Sequence, residues 1–363
     1  MQSRNSAVDL ARGFIVFIMP ATHATLYYSQ LSVQEGGWGI FLRCLAEGAG
    51  AQVFMFLLGF SFFLGRKKPL KTILKRAISI FCLAYILNFI KFVIPIIMGI
   101  IPQELLNYYH ISSGFFGVID LLMVGDIFQF AAISYLLCGV ICHFKASWIV
   151  PLCIGFGVIV ISPLVWGHRL DNFLTDYLLK LFNGAPAAVF FPFFPWGVYP
   201  LLGLAFGQLY QDLSKDTYNR LCLIAGLLSV VVGLIGMHFE PAAFNQTFYR
   251  LGPGGTIFHC GLVLLWMRLC TWISGKLPFD GPLLKGLRWC SINITIVYIV
   301  QWIVVVYLLP VFGFMDLGLI KTLIATVVVS LMTLLMVQGA ILYKKKKLLE
   351  SELNKEGLQK TSG

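Results

Sequence analysis

The sequence is poor in charge: 12% of its 363 residues are Asp, Glu, Lys or Arg, while 58% are hydrophobic and the mean hydropathy is +0.84. Too few polar side chains are present to cover a water-soluble protein of this length. Also missing is any polar stretch long enough to fold as a separate soluble domain, which argues against a soluble α-protein with very long core helices. Nine cysteines include no CxxC pair and no Cys/His spacing typical of zinc, so they read as buried thiols with no disulfide and no metal. Acidic residues are scarce as well, 16 against 27 Lys and Arg, for a net charge of +11. Those bases sit beside apolar segments, as they do at a cytoplasmic membrane edge, which argues for a lipid bilayer as partner and against nucleic acid. No cleavable signal precedes the first apolar stretch, which begins after Arg4 and is long.

What the chain does have is a succession of apolar runs, and about 20 such residues span a bilayer core. The runs fall at roughly 7–28, 48–65, 73–99, 118–142, 147–166, 194–211, 219–238, 255–274, 290–311 and 318–343, the fourth being interrupted by Asp120 and Asp126. They predict an all-α, polytopic integral membrane protein with about ten transmembrane helices. A basic connection, Arg66-Lys67-Lys68-Pro69-Leu70-Lys71 followed by Lys75 and Arg76, marks a cytoplasmic loop after the second run. Alternation then places both termini, Lys145, Lys215 and Arg220, Lys276 with Lys285 and Arg288, and the Lys344–Lys347 run inside; an odd count would put a basic cluster outside. Residues 1–343 thus form one transmembrane domain and 344–363 a basic cytoplasmic tail, disordered or a short exposed helix. With no organism to guide it, the default location is the plasma (inner) membrane, and an oligomer is compatible with all of this. The 167–193 loop has an Asp171–Leu181 stretch suited to a short interfacial helix, and the 239–254 loop ends in a Gly252-Pro253-Gly254-Gly255 turn.

Charge inside a span is expensive and needs a reason. The first run reads Val8-Asp9-Leu10-Ala11-Arg12-Gly13, then apolar or small residues up to Thr22-His23. Arg12 near the cytoplasmic end can snorkel and pair with Asp9, but that does not explain His23. Arg12 and His23 are about three helical turns apart, with a rise of ~16 Å, so they share one stripe. A cation low on that stripe and an imidazole deeper in the membrane suit an elongated anionic substrate, with His23 as general base; a hydrogen-bonded structural histidine is the plain alternative.

At these residues the chain resembles a known family. Asp9-x-x-Arg12-Gly13-x9-His23 resembles the first-helix signature of the transmembrane acyltransferase superfamily, which includes the acyltransferase-3 glycan O-acetyltransferases and the heparan-α-glucosaminide N-acetyltransferase-like proteins. Val53–Ser61 resembles the second-helix segment of those proteins, with Gln52 in place of a proline. Phe191–Trp196 leading to Leu202-Gly203 looks like a block of the heparan-α-glucosaminide branch. Asn293–Trp302 resembles the penultimate helix, with Gln301 where relatives often carry histidine.

The resemblance implies an acyltransferase that takes an acyl group, acetyl by preference, from cytoplasmic acyl-CoA and passes it to a hydroxyl or amine of a saccharide or glycan at the opposite face. His23 would be catalytic, and Arg12 would help place the donor, with acetyl-CoA as co-substrate and no metal. Arg66, Lys67, Lys75 and Arg76 are candidates for its phosphates, against a plain orientation role. Asp126 either orients His23 or binds acceptor, or else forms a structural ion pair with Lys91, as Asp120 could instead. Trp196 and Tyr199 are candidates for stacking on sugar, against an aromatic belt. Gln301 is a candidate acceptor contact, or bridges helices together with Asn293. His238 and His259 read as ordinary interfacial histidines. A secondary transporter or flippase for a polar or lipid-linked glycan is the rival, with Lys91, Asp126 and His23 as a proton relay; the absence of a visible internal repeat weighs against it. An idle scaffold leaves the His23 stripe without a reason.

Overall fold

A computed structural model describes residues 5–111, 114–184, 189–241, 244, 247–278 and 281–361. Residues 185–188, 242–243 and 245–246 of the two expected loops, residues 1–4 before the first helix, and residues 362–363 at the end of the expected tail lie outside this set. Among the described residues there is no β-strand, only isolated bridges such as Ser29 with Leu317. The protein is all-α and membrane-spanning. Among the described residues six helices are long and apolar enough to cross a bilayer: Ser6–Tyr28, Gly37–Leu64, Leu70–Ile97, Lys215–Phe239, Pro253–Ser274 and Leu319–Leu348. A bent pair, Pro282–Ile292 and Ile294–Tyr307, turns by 80° at its break, and two shorter apolar helices run over Ile127–His143 and Ile149–Val165. Each of the ten apolar runs expected from sequence contains a helix.

Local sequence explains the element ends. Asn5 caps the first helix, its side chain accepting from the Ala7 and Val8 amides at 3.0 and 3.3 Å. The expected interfacial helix is present as Phe173–Asn183, capped by Asn172 and ended by Gly184 at φ 62°, a left-handed C-terminal position that glycine adopts without a Cβ clash. Pro253 opens the Pro253–Ser274 helix at its first turn, where its missing N–H costs nothing. The tail is not a separate short element: the last helix continues from Leu319 to Thr361 through the four lysines. The run past the membrane is rich in Lys, Leu and Glu, good helix formers, which keeps the helix going.

Bilayer lipid supplies little hydrophobic drive between helices, so close backbone approach has to come from small residues. The Ala51–Leu64 helix crosses Val198–Asp212 at reciprocal glycines: a Cβ on Gly59 would strike the Pro200 carbonyl oxygen, and one on Gly203 would strike that of Phe56. Lys215–Phe239 lies on Pro253–Ser274 through Gly226, Gly233 and Gly261 in the same way. Its other face, with Leu227, Leu228, Val231 and Ile235, is exposed and apolar, as lipid contact requires.

Three breaks position the site. Leu70–Asn88 passes into a π-helical turn, Phe89–Val93, which carries Lys91. The expected fourth run is divided into Phe115–Leu122 and Ile127–His143, with Asp126 as N-cap of the second piece. A broken backbone at membrane depth must have its polar groups satisfied by protein. Asn88 does this, donating from Nδ2 to the carbonyls of Leu122 and Val124 at 2.9 and 2.8 Å. Gln129 donates to Val124 at 2.9 Å, and the Phe190 amide donates to Gly125 at 2.8 Å. The third break is the 80° turn before Ile294.

Candidate active site

Two cavities in the helix bundle bear on the site. The larger, about 1630 Å³, lies at the basic end of the molecule and is lined by Arg12, Arg66, Lys67, Lys68, Lys75, Arg76 and Lys145. Arg12, from the first helix, donates from Nη2 to Ser61 Oγ at 2.7 Å. Arg76 stands 5.9 Å from the ring of Tyr135. Asp9 is buried; it accepts from Ser291 Oγ at 2.9 Å and has Arg288 at 3.9 Å, which ties the first helix to Pro282–Ile292. The five basic residues singled out from sequence therefore face one chamber.

The smaller cavity, about 380 Å³, contains His23, Lys91, Asp126, Tyr298 and Trp302 and opens among aromatic residues that include Tyr109, Phe191 and Tyr249. His23 Nδ1 is 2.9 Å from Gln301 Oε1. With the Gln301 amide oxygen facing the ring, Nδ1 is the donor and Nε2 keeps its lone pair. The imidazole also lies against Trp302, ring centroids 4.2 Å apart. These two contacts fix the ring while leaving one nitrogen for chemistry.

Asp126 is held by three donors. Its Oδ2 accepts from Lys91 Nζ at 2.8 Å, and its Oδ1 accepts from the Tyr298 hydroxyl at 3.0 Å and the Ile127 amide at 2.7 Å. Of the two aspartates considered for Lys91, Asp126 is thus its partner, while Asp120 accepts from the hydroxyl of Tyr177. Lys91 is 1% exposed, and its ammonium also lies 4.5 Å from the Trp302 ring centroid. Burying both charges is tolerable because they pair and are hydrogen-bonded. The pair borders the cavity that holds His23.

Trp196 and Tyr199 are each 1% exposed and lie in the wall behind the cavity rather than on its surface. Trp196 donates to the Tyr249 carbonyl at 3.0 Å and packs edge-on to Phe191 and Phe248, which do line the cavity. Their burial removes them from lipid as well. Gln301 is fully buried behind His23. Around the mouth, burial pushes the phenols of Tyr109 and Tyr249 above their ordinary range, so both remain protonated. Tyr298, Trp302 and Ser61 were not singled out from sequence as site residues; they appear there only inside the Asn293–Trp302 and Val53–Ser61 segments that resemble the family.

Four residues, Phe54, Phe128, Ile294 and Thr295, line both cavities. They form the boundary shared by the basic chamber and the His23 chamber, the neck between them. Arg12 and His23 therefore face adjoining chambers, one on each side of this neck. Among the described residues no group of three or more His, Cys, Asp or Glu side chains is arranged to hold a metal.

The chain was compared with known proteins. The family model described as heparan-alpha-glucosaminide N-acetyltransferase, catalytic, matches residues 4–239. That stretch takes in Arg12, His23, Lys91 and Asp126, whereas Thr295, Tyr298, Gln301 and Trp302 follow it. No curated protein matches the chain.

Proposed function

Because the chain belongs to the heparan-alpha-glucosaminide N-acetyltransferase catalytic family, we propose that it transfers an acetyl group from acetyl-CoA to a hydroxyl or amine of a glycan. The donor enters from the cytoplasm, and the acceptor is met at the opposite face. The observation that carries this reading is the neck: a cation-lined chamber large enough for a nucleotide adjoins a smaller chamber holding an oriented imidazole.

The 3′- and diphosphate groups of the donor lie among Arg12, Arg66, Lys67, Lys75 and Arg76, with arginines clamping oxygens and lysines acting as point charges. The thioester reaches through the neck. An acceptor O–H or N–H gives its proton to His23 Nε2 as its lone pair attacks the thioester carbon. The new C–O or C–N bond forms, the C–S bond breaks, and the CoA sulfur leaves with the proton held by His23. Asp126, near the imidazole, offsets the positive charge that His23 gains, and Lys91 with Tyr298 keeps that carboxylate in place. Trp196 and Tyr199 support the acceptor pocket from behind, through Phe191 and Phe248. Both termini lie in the cytoplasm and the spans number ten, as the positive-inside distribution implies.

The test is transfer of label from radioactive acetyl-CoA to candidate saccharides by purified protein, with His23→Ala alongside. Loss of transfer in a His23→Ala protein that melts like wild type supports the reading. Undiminished transfer by that variant, or movement of saccharide across proteoliposomes with no acyl donor, contradicts it.

A further inference from the structure

Three of the four neck residues, Phe54, Phe128 and Ile294, are apolar; Thr295 is the polar member and is exposed to the cavities. Among the described residues its hydroxyl makes no hydrogen bond. Its position is set by the 80° turn that starts the Ile294–Tyr307 helix. On that helix Thr295, Tyr298 and Trp302 stand at i, i+3 and i+7, so they share one face. Tyr298 holds Asp126 and Trp302 lies against His23, so the same face carries Thr295 below the reacting groups. The rise from Thr295 to Gln301, which holds His23, is ~9 Å, and Arg12 is ~16 Å below His23 along its own helix. Thr295 is therefore at an intermediate level, where the middle of a donor spanning both chambers would pass.

We propose that this neck is the collar for the pantetheine arm of the donor, and that the Thr295 hydroxyl hydrogen-bonds an amide of that arm. This rests on the reading of the basic chamber as the donor site. The apolar walls suit methylene groups and are costly for phosphate, which has to leave its charge unpaired to enter. The nucleotide thus stops in the basic chamber and only the slender arm crosses. One amide of the arm lies a two-carbon link from the sulfur. A hydroxyl one to two helical turns below His23 is placed to hold that amide, and so to set how far the thioester projects into the upper chamber. Thr295 can donate to the amide carbonyl or accept from its N–H.

The experiment is a binding titration on the full-length protein in detergent, with CoA and with the CoA nucleotide that lacks the arm. Thr295→Val keeps the shape and removes the hydroxyl; Thr295→Ser keeps the hydroxyl. The expected result is CoA binding weakened roughly fivefold to tenfold by Thr295→Val, as for the loss of one neutral hydrogen bond. Thr295→Ser retains wild-type CoA affinity, and the arm-less nucleotide binds all three proteins alike. Equal CoA affinity in Thr295→Val and wild type overturns the collar, as does equal weakening of CoA and the arm-less nucleotide. A wild-type protein that binds neither molecule overturns the donor reading itself, a separate outcome.

Discussion

His23 and Gln301 meet at 2.9 Å, Nδ1 to Oε1, although they are 278 positions apart in the chain. The contact joins the first helix to the Ile294–Tyr307 helix and selects the imidazole tautomer with Nε2 free. Removing the amide while keeping bulk, in Gln301→Leu, is expected to lower kcat about tenfold, the effect of one lost orienting hydrogen bond. The donor KM should stay near wild type. Steady-state kinetics check this; a large change in donor KM with kcat intact would place Gln301 elsewhere in the mechanism.

Arg12 lies on the other side of the neck. Arg12→Ala is expected to raise the donor KM by roughly 10- to 100-fold, as loss of a charge-assisted contact does, with kcat less affected. Thermal melting should show a smaller change. CoA affinity equal to wild type would remove Arg12 from the donor site.

Lys91 and Asp126 form a buried pair at 2.8 Å. Lys91→Met leaves the carboxylate uncompensated and should cost about 3–5 kcal/mol of stability, whereas the double change with Asp126→Asn should recover most of it. Melting of the single and double variants measures this coupling. The double variant should stay inactive despite its stability, because Asp126 also faces the His23 chamber. Full activity in the double variant would limit the pair to a structural role.

The glycine crossing of Ala51–Leu64 with Val198–Asp212 holds one wall of the basic chamber. Gly203→Val has to push the Phe56 backbone away and should destabilise by about 1–3 kcal/mol or more. Gly286→Ala, where an added Cβ meets nothing, is the control and should be near neutral apart from a local gain in helix propensity. A near-neutral Gly203→Val would show that the two helices do not rely on close approach.

Much of this architecture is legible in the chain itself. The apolar runs are long, so their positions follow from hydropathy, and the Arg66–Arg76 cluster reads as a cytoplasmic loop; that several of its residues line one chamber is seen only in the fold. The Arg12–His23 spacing suggests one stripe along the first helix, and the two side chains line adjoining cavities. Less accessible were contacts that depend on how distant helices pack. Trp196 carries an aromatic signal that suits either an interface or a sugar site, yet it is buried against Phe191 and Phe248. Tyr298 and Trp302 sit within an apolar run, where an aromatic at helical spacing reads as core. Their partners, Asp126 and His23, come from two other helices that no local pattern brings near. The neck residues were hidden for the same reason: Phe54, Phe128 and Ile294 are ordinary apolar side chains until two cavities are seen to meet at them.

The most direct measurement uses sealed proteoliposomes with the protein oriented basic end outward. Labelled acetyl-CoA is supplied outside and a saccharide acceptor is trapped inside. Chambers that meet at the Phe54–Thr295 neck predict labelled saccharide inside, abolished by His23→Ala. Label appearing only when donor and acceptor share one side of the membrane would contradict a reaction across that neck.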